Sequence, residues 1–353
     1  MQMSVFLINF SSDLHINLAR ELKKKGINIL YWVGGKAAFE NLQKNNTEFS
    51  QTIFQNYFDA LRGVYPSFIN HQDFPPPDKK LLQDLYECES QLMPMLDRFD
   101  LETNISVSRR KRIYHEYVRY WNGILDKYRP NAIIFNNSPH SGYNIVLFYL
   151  AKLKNIKTVM FQPPIIPNHH LIIDDFRENG IKIKNWLESQ KDKNFQITNA
   201  CQEMQDYYKL KTDKNSESPP YYMKLFENRK QMLHMPSFIL ALKSLFDGTF
   251  LKKCRCFIGL MFLKKDLFAF DKNKTSVFKI KFNMIFKWGR KIKKIKKEYI
   301  RLSETSNLNK NFIYVPLHYQ PENTTNPLGD IFADQILMIQ FWRMHYRKDG
   351  IYM

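Results

Sequence analysis

Residues 4–35 read SVFLINFSSDLHINLARELKKKGINILYWVGG, and this stretch decides the fold class. Ser4–Phe10 is an unbroken β-prone run, the pattern of a strand covered on both faces. Ser11, Ser12 and Asp13 supply helix-capping side chains, and Leu14, Leu18 and Leu22 recur at helical spacing up to Lys25. Gly26 suits a helix stop, and Ile27–Val33 forms a second strand closed by Gly34 and Gly35. Strand, helix and strand of these lengths make a β-α-β unit, whose crossover is expected to be right-handed.

The same rhythm returns further on. Asn131–Phe135 reads as a strand, Asn136–His140 as a loop, Gly142–Leu153 as a helix and Lys157–Phe161 as the next strand. Between the two α/β stretches, 36–74 reads as short helices and loops. Pro75, Pro76 and Pro77 then forbid helix. From Lys79 to Lys127 the pattern is helical with an interruption near 100–106, and its second part places Tyr114, Val118, Trp121 and Leu125 on one side. Residues 176–230 are polar, with weak order expected over 211–220, and 231–300 read as helices rich in lysine. Phe312–Leu317 reads as a short strand, followed by a polar loop, a helix from Asp330, and a strand beginning at Ile351.

Bulk properties narrow the class. A chain of 353 residues, 44% apolar, has room for two globular domains and contains no apolar run of transmembrane length. The first residues lack the basic and small-residue features of a signal peptide. Four irregularly spaced cysteines fit reduced thiols and a cytoplasmic location. The net charge is +19, and 251–300 holds 16 Lys/Arg against 3 Asp/Glu. Such a block attracts a polyanion. GRKIKKIKK (289–297), with Phe282, Ile285, Phe286 and Trp288 alongside, reads as an interfacial amphipathic helix. Lys287, Arg290, Lys291, Lys293, Lys294 and Lys297 are its candidate contacts to an anionic membrane. A solvated lysine face is the plain alternative; no nucleic-acid motif accompanies the charge.

Four loops follow strands, where open α/β sheets hold ligands. The first, Phe10–His15, has no glycine for a pyrophosphate, which argues against dinucleotide binding. Its hydroxyls and the helix amino terminus suit sugar hydroxyls or a phosphate; the alternative is that Ser12 or Asp13 simply caps the helix. In the second, Asn136-Asn137-Ser138-Pro139-His140, His140 is expected within the first helical turn, where the dipole favours a neutral imidazole able to take a proton. The alternative is a capping role. The third contains His169, His170, Asp174 and Asp175, but adjacent histidines on extended chain point opposite ways, so no metal site is expected. The fourth, 318–329, offers polar groups to a nucleotide or sugar, although its residue types are also ordinary in loops.

YVPLHYQPENTTNPLG…ADQ (314–335) resembles the opening of the second domain in bacterial surface and capsular polysaccharide glycosyltransferases of the two-Rossmann (GT-B) type. NNSPHSGYNIVLFYLAKLKNIKTVMF (136–161) resembles the matching amino-domain stretch of that family. The resemblance implies a Rossmann-like parallel-sheet acceptor domain over 1–175, a helical basic connection over 176–305 and an incomplete donor-binding domain over 306–353. It implies transfer from a nucleotide sugar to a glycan or lipid-linked acceptor, with no required cofactor or metal, at the inner face of the plasma membrane. His140 is then the candidate base and His15 the second. Ser11, Ser12, Asn136 and Ser138 would face the acceptor, and His318, Gln320, Glu322, Thr324, Thr325, Gly329 and Gln335 the donor. A chain stopping at Met353 is expected to lack most donor contacts and to have little transferase activity alone. A non-enzymatic, membrane-associated protein of the same pathway, docked through the basic helix, is the alternative.

Overall fold

The computed structural model describes residues 2–35, 47–96, 105–164, 166, 169–178, 180–191, 196–213, 264–265, 275–276, 289–304, 313–318 and 325–346. In chain order the principal elements begin with β1 (Ser4–Ile8), α1 (Asp13–Lys24), β2 (Asn28–Gly34), β3 (Ile53–Asn56) and α2 (Tyr57–Leu61). The helices α3 (Lys79–Asp84), α4 (Tyr86–Met95) and α5 (Val107–Tyr128) follow. Next come β4 (Ala132–Phe135), α6 (Gly142–Leu153), β5 (Lys157–Gln162) and β6 (Leu171–Ile173). Four more helices complete the set: α7 (Ile181–Ser189), α8 (Gln202–Thr212), α9 (Gly289–Leu302) and α10 (Gln335–Tyr346).

One sheet runs in the order β3-β2-β1-β4-β5-β6. The first five strands are parallel and β6 is antiparallel to β5. The chain is therefore an α/β protein with a mostly parallel sheet. Two edge strands depart from the sequence expectation: β3 lies in the stretch read as helices and loops, and β6 in the stretch read as a loop. Both are short, and Gln55 and Asn56 make half of β3 polar.

The two faces of β1 explain its unbroken apolar run. Val5 and Leu7 pack on one face with Ile16 and Ala19 of α1, while Phe6 and Ile8 pack on the other, against α4, α5 and α6. Alternation along a pleated strand sends consecutive side chains to opposite layers, so a strand covered on both sides must be apolar throughout. In α1 the buried positions are Ile16 and Ala19; Leu14, expected on the apolar face, is exposed. The stripe of α5 is as read, with Tyr114, Val118, Trp121 and Leu125 all buried. Its tyrosines have partners: the Tyr31 and Tyr120 hydroxyls are 2.6 Å apart, and Tyr31 donates to Gln55 at 2.7 Å. Buried hydroxyls without such partners would cost stability.

Residues 313–318, expected as a strand, run without strand hydrogen bonding among the described residues. Pro316 offers no N–H to a ladder, and Tyr314 and Leu317 are exposed. The next described segment is better seated. Thr325, Asn326 and Pro327 are buried, Asn326 donates to the Gln91 carbonyl at 3.0 Å, and Leu328 packs against the main core. The predicted helix from Asp330 is a short 3-10 turn over Asp330–Ala333 followed by α10. The strand expected from Ile351 lies outside the described residues.

Candidate functional site

In the order 3-2-1-4-5, chain direction across the sheet reverses between β1 and β4. Loops from the carboxyl ends of such a pair diverge to opposite faces and open a crevice, the usual ligand position in sheets of this class. Here the two loops are 9–12 and 136–141.

The first loop starts at Asn9, whose φ of +66° places it in the left-handed region that asparagine tolerates better than most residues. Its side-chain oxygen accepts a hydrogen bond from the Tyr143 hydroxyl, joining the β1 loop to the first turn of α6. The Ser11 hydroxyl accepts from the Gly35 N–H at 2.7 Å. Ser12 caps α1. Both serine side chains thus have structural work, and Ser11 and Ser12 remain exposed at the rim. The cap reading of Ser12 holds.

His15 is the third residue of α1. Its Nδ1 accepts from the backbone N–H groups of Ser11 and Ser12, each at 3.1 Å, and lies 2.9 Å from the Ser12 hydroxyl. With Nδ1 accepting, the proton of the neutral ring sits on Nε2. Burial lowers the pKa of His15; the neighbouring Asn136 side chain opposes that shift and the charge of His170 adds to it. Phe10 flanks the imidazole, with ring centres 4.8 Å apart.

His140 has the opposite tautomer. Its Nδ1 lies 2.7 Å from the Ser138 carbonyl, an acceptor, so Nδ1 carries the proton and Nε2 is the accepting nitrogen of the neutral ring. One part of the sequence expectation needs correcting. The helix starts at Gly142 with Ser141 as its cap, so His140 precedes the cap instead of lying in the first turn. Ser141 is buried, and its N–H donates to Asn144 Oδ1 at 2.7 Å. Ser138 is also fully buried and donates its hydroxyl to Gln162 at the end of β5. It braces the loop; His140 and Asn136 are half-buried and line it.

Sequence reasoning missed Asn9, Tyr143 and Gln162. Asn9 carried a signal, being the one polar residue inside an apolar strand run. Ser141 and Asn144, three apart before an apolar helix, also formed a readable capping pattern. Gln162 gave none, because its partner comes from another strand.

No family model matches this chain, and neither the curated proteins nor the solved structures compared with it yield a match. The site is therefore read from its own chemistry.

The other candidates are dispersed. Gln335 clamps the His318 backbone, accepting from its N–H at 2.5 Å and donating to its carbonyl at 3.0 Å. Both were candidate donor contacts; the Gln335 side chain is spent on the backbone, while the His318 side chain is exposed. Thr325 is buried, and Gly329 has φ −77°, a conformation open to any residue. Gln320, Glu322, Thr324 and Lys287 lie outside the described residues. Among the loop acids, Asp175 pairs with Arg177 at 2.7 Å and Lys152 at 3.3 Å. Burial raises its carboxyl, but hydrogen bonds and charge from Arg177 outweigh this and hold it below the usual range. Lys291, Lys293, Lys294 and Lys297 are exposed on α9, and Arg290 belongs to the same helix.

Proposed function

We propose that the protein is a glycosyltransferase of surface polysaccharide biosynthesis, of the two-Rossmann type. It moves a sugar from a nucleotide-activated donor to a hydroxyl of a glycan or lipid-linked acceptor at the inner face of the plasma membrane. An α/β sheet alone hosts many chemistries, so the site must carry the reading. The observation that carries it is the complementary pair of histidines, His15 in the first turn of α1 after β1 and His140 on the loop after β4, one with its proton on Nε2 and one accepting there.

Acceptor hydroxyls need both kinds of partner. In this reading His140 Nε2 takes the proton of the attacking hydroxyl as its oxygen bonds to the anomeric carbon. The bond from that carbon to the nucleotide oxygen breaks, and the nucleotide leaves with the electron pair. His15, held neutral, donates from Nε2 to orient the acceptor. Residues 318–335 would face the donor, whose departing charge is met by helix amino termini and basic groups without a required metal.

The test is transfer of labelled sugar from a panel of nucleotide sugars to lipid-linked glycans extracted from bacterial membranes, using the full chain. Slow but measurable transfer from one donor, lost in His140→Ala, is the expected result. Transfer from none of them, or at the parent rate in His140→Ala, would contradict the reading.

A further inference from the structure

Helix α9 has the sequence GRKIKKIKKEYIRL, with seven Lys/Arg and one Glu. At helical spacing Ile295, Tyr299 and Leu302 share one narrow arc, with Lys291 and Lys296 to its two sides. The other cations lie across the helix. Ile295 is 57% exposed, Tyr299 71% and Leu302 66%, so the stripe faces solvent. Lys291, Lys293, Lys294, Lys296 and Lys297 are exposed as well. The helix's one acid, Glu298, pairs with Arg301 and leaves the lysine charge uncompensated within the helix.

These two properties select one partner. A helix meant to pack on the core would bury Ile295, Tyr299 and Leu302. One meant only to hold a polyanion gains nothing from an apolar stripe. An anionic bilayer meets both halves: the stripe enters the boundary between headgroups and acyl chains, while lysine stems extend along it and present their charges to lipid phosphates. We propose that α9 lies in the plane of an anionic membrane surface, stripe inward, and docks the protein there. The inference is independent of the transferase reading, since it rests on no residue of the loops after β1 and β4.

Each cation near an anionic leaflet is worth about fivefold in partitioning. Co-sedimentation of the full chain with phosphatidylcholine vesicles, with and without phosphatidylglycerol, tests the proposal. The parent is expected to bind only the phosphatidylglycerol vesicles and to be released by raised salt. The combined Lys291→Glu, Lys293→Glu and Lys294→Glu variant is expected to bind at least roughly tenfold more weakly. So is the combined Ile295→Ser, Tyr299→Ser and Leu302→Ser variant, each with the parent's circular dichroism. Equal binding to phosphatidylcholine alone, or salt-insensitive binding of the parent, overturns the proposal. Parent-like binding by the serine variant, or equally tight retention of RNA by the parent, reassigns α9 to polyanions in general and overturns it too.

Discussion

His15 Nδ1 accepts the backbone N–H of Ser11 at 3.1 Å, tying the first turn of α1 to the loop at the carboxyl end of β1. The same nitrogen accepts the Ser12 N–H at 3.1 Å, so the neutral ring carries its proton on Nε2. Burial makes protonation of this ring unfavourable in the folded protein. A histidine whose folded pKa lies below its unfolded value, 6.5, binds fewer protons when folded. Its stabilising contribution is thus complete above that value and is lost as pH falls below it. Replacing His15 by Gln keeps a residue suited to the third helical position. Thermal unfolding from about pH 7.5 to about pH 5 should show a steeper loss in the parent than in His15→Gln. Identical slopes would remove the burial argument.

Tyr143 and Asn9 should be energetically coupled. Their hydrogen bond joins the loop after β1 to the first turn of α6, and Tyr143 is fully buried, stacked on Trp121 with ring centres 5.8 Å apart. Tyr143→Phe and Asn9→Gly each remove one partner, glycine being chosen because it accepts the positive φ without strain. A double-mutant cycle by urea unfolding should give a coupling of about 1 kcal/mol. Additive losses would mean that the bond contributes nothing.

Gly34 is confined by its neighbour loop. A Cβ there would lie 2.2 Å from the Phe10 carbonyl oxygen, which also accepts from Trp32 Nε1 at 2.9 Å. Backbone must therefore move to admit any side chain. Gly34→Ala should lose roughly 2 kcal/mol in denaturant unfolding and shift the loop carrying Ser11 and Ser12. A stability within experimental error of the parent would show that the loop yields freely.

The carboxyl-terminal segment should detach locally without unfolding the sheet. Asn326 and Leu328 fasten it at α4, near a cavity of about 120 Å³ lined by Glu87, Gln91 and Arg177. Asn326→Ala should cost about 1 kcal/mol of local stability. Amide exchange over 325–330 should accelerate while β1 and β4 keep their protection. Equal acceleration in both places would mean that the segment and the sheet open as one unit.

Much of the sheet was legible because a parallel strand covered on both faces must be a short apolar run, and serines and glycines punctuate the helices between such runs. β1, α1, β2, β4, α6 and β5 follow from this to within a residue or two at most ends. β3 and β6 do not, since an edge strand of three or four residues leaves too short a pattern to separate from loop. The error at 313–318 has the converse cause: apolar residues signal strand propensity, but a ladder needs a partner that local sequence does not specify. In the crevice, His15, Asn136, Ser138 and His140 were identifiable as loop residues after strands. Their division of labour was not. Whether a serine hydroxyl is spent on Gly35 or Gln162 depends on a neighbouring strand, and each histidine's tautomer depends on which backbone group meets Nδ1.

In the proposed reaction a glycan acceptor sits over the carboxyl ends of β1 and β4. Hydrogen–deuterium exchange of the full chain, with and without lipid-linked glycans extracted from bacterial membranes, tests it most directly. Slower exchange confined to 9–15 and 136–143, abolished in His140→Ala, is the result predicted. Unchanged exchange in both loops, with protection elsewhere or nowhere, would contradict it.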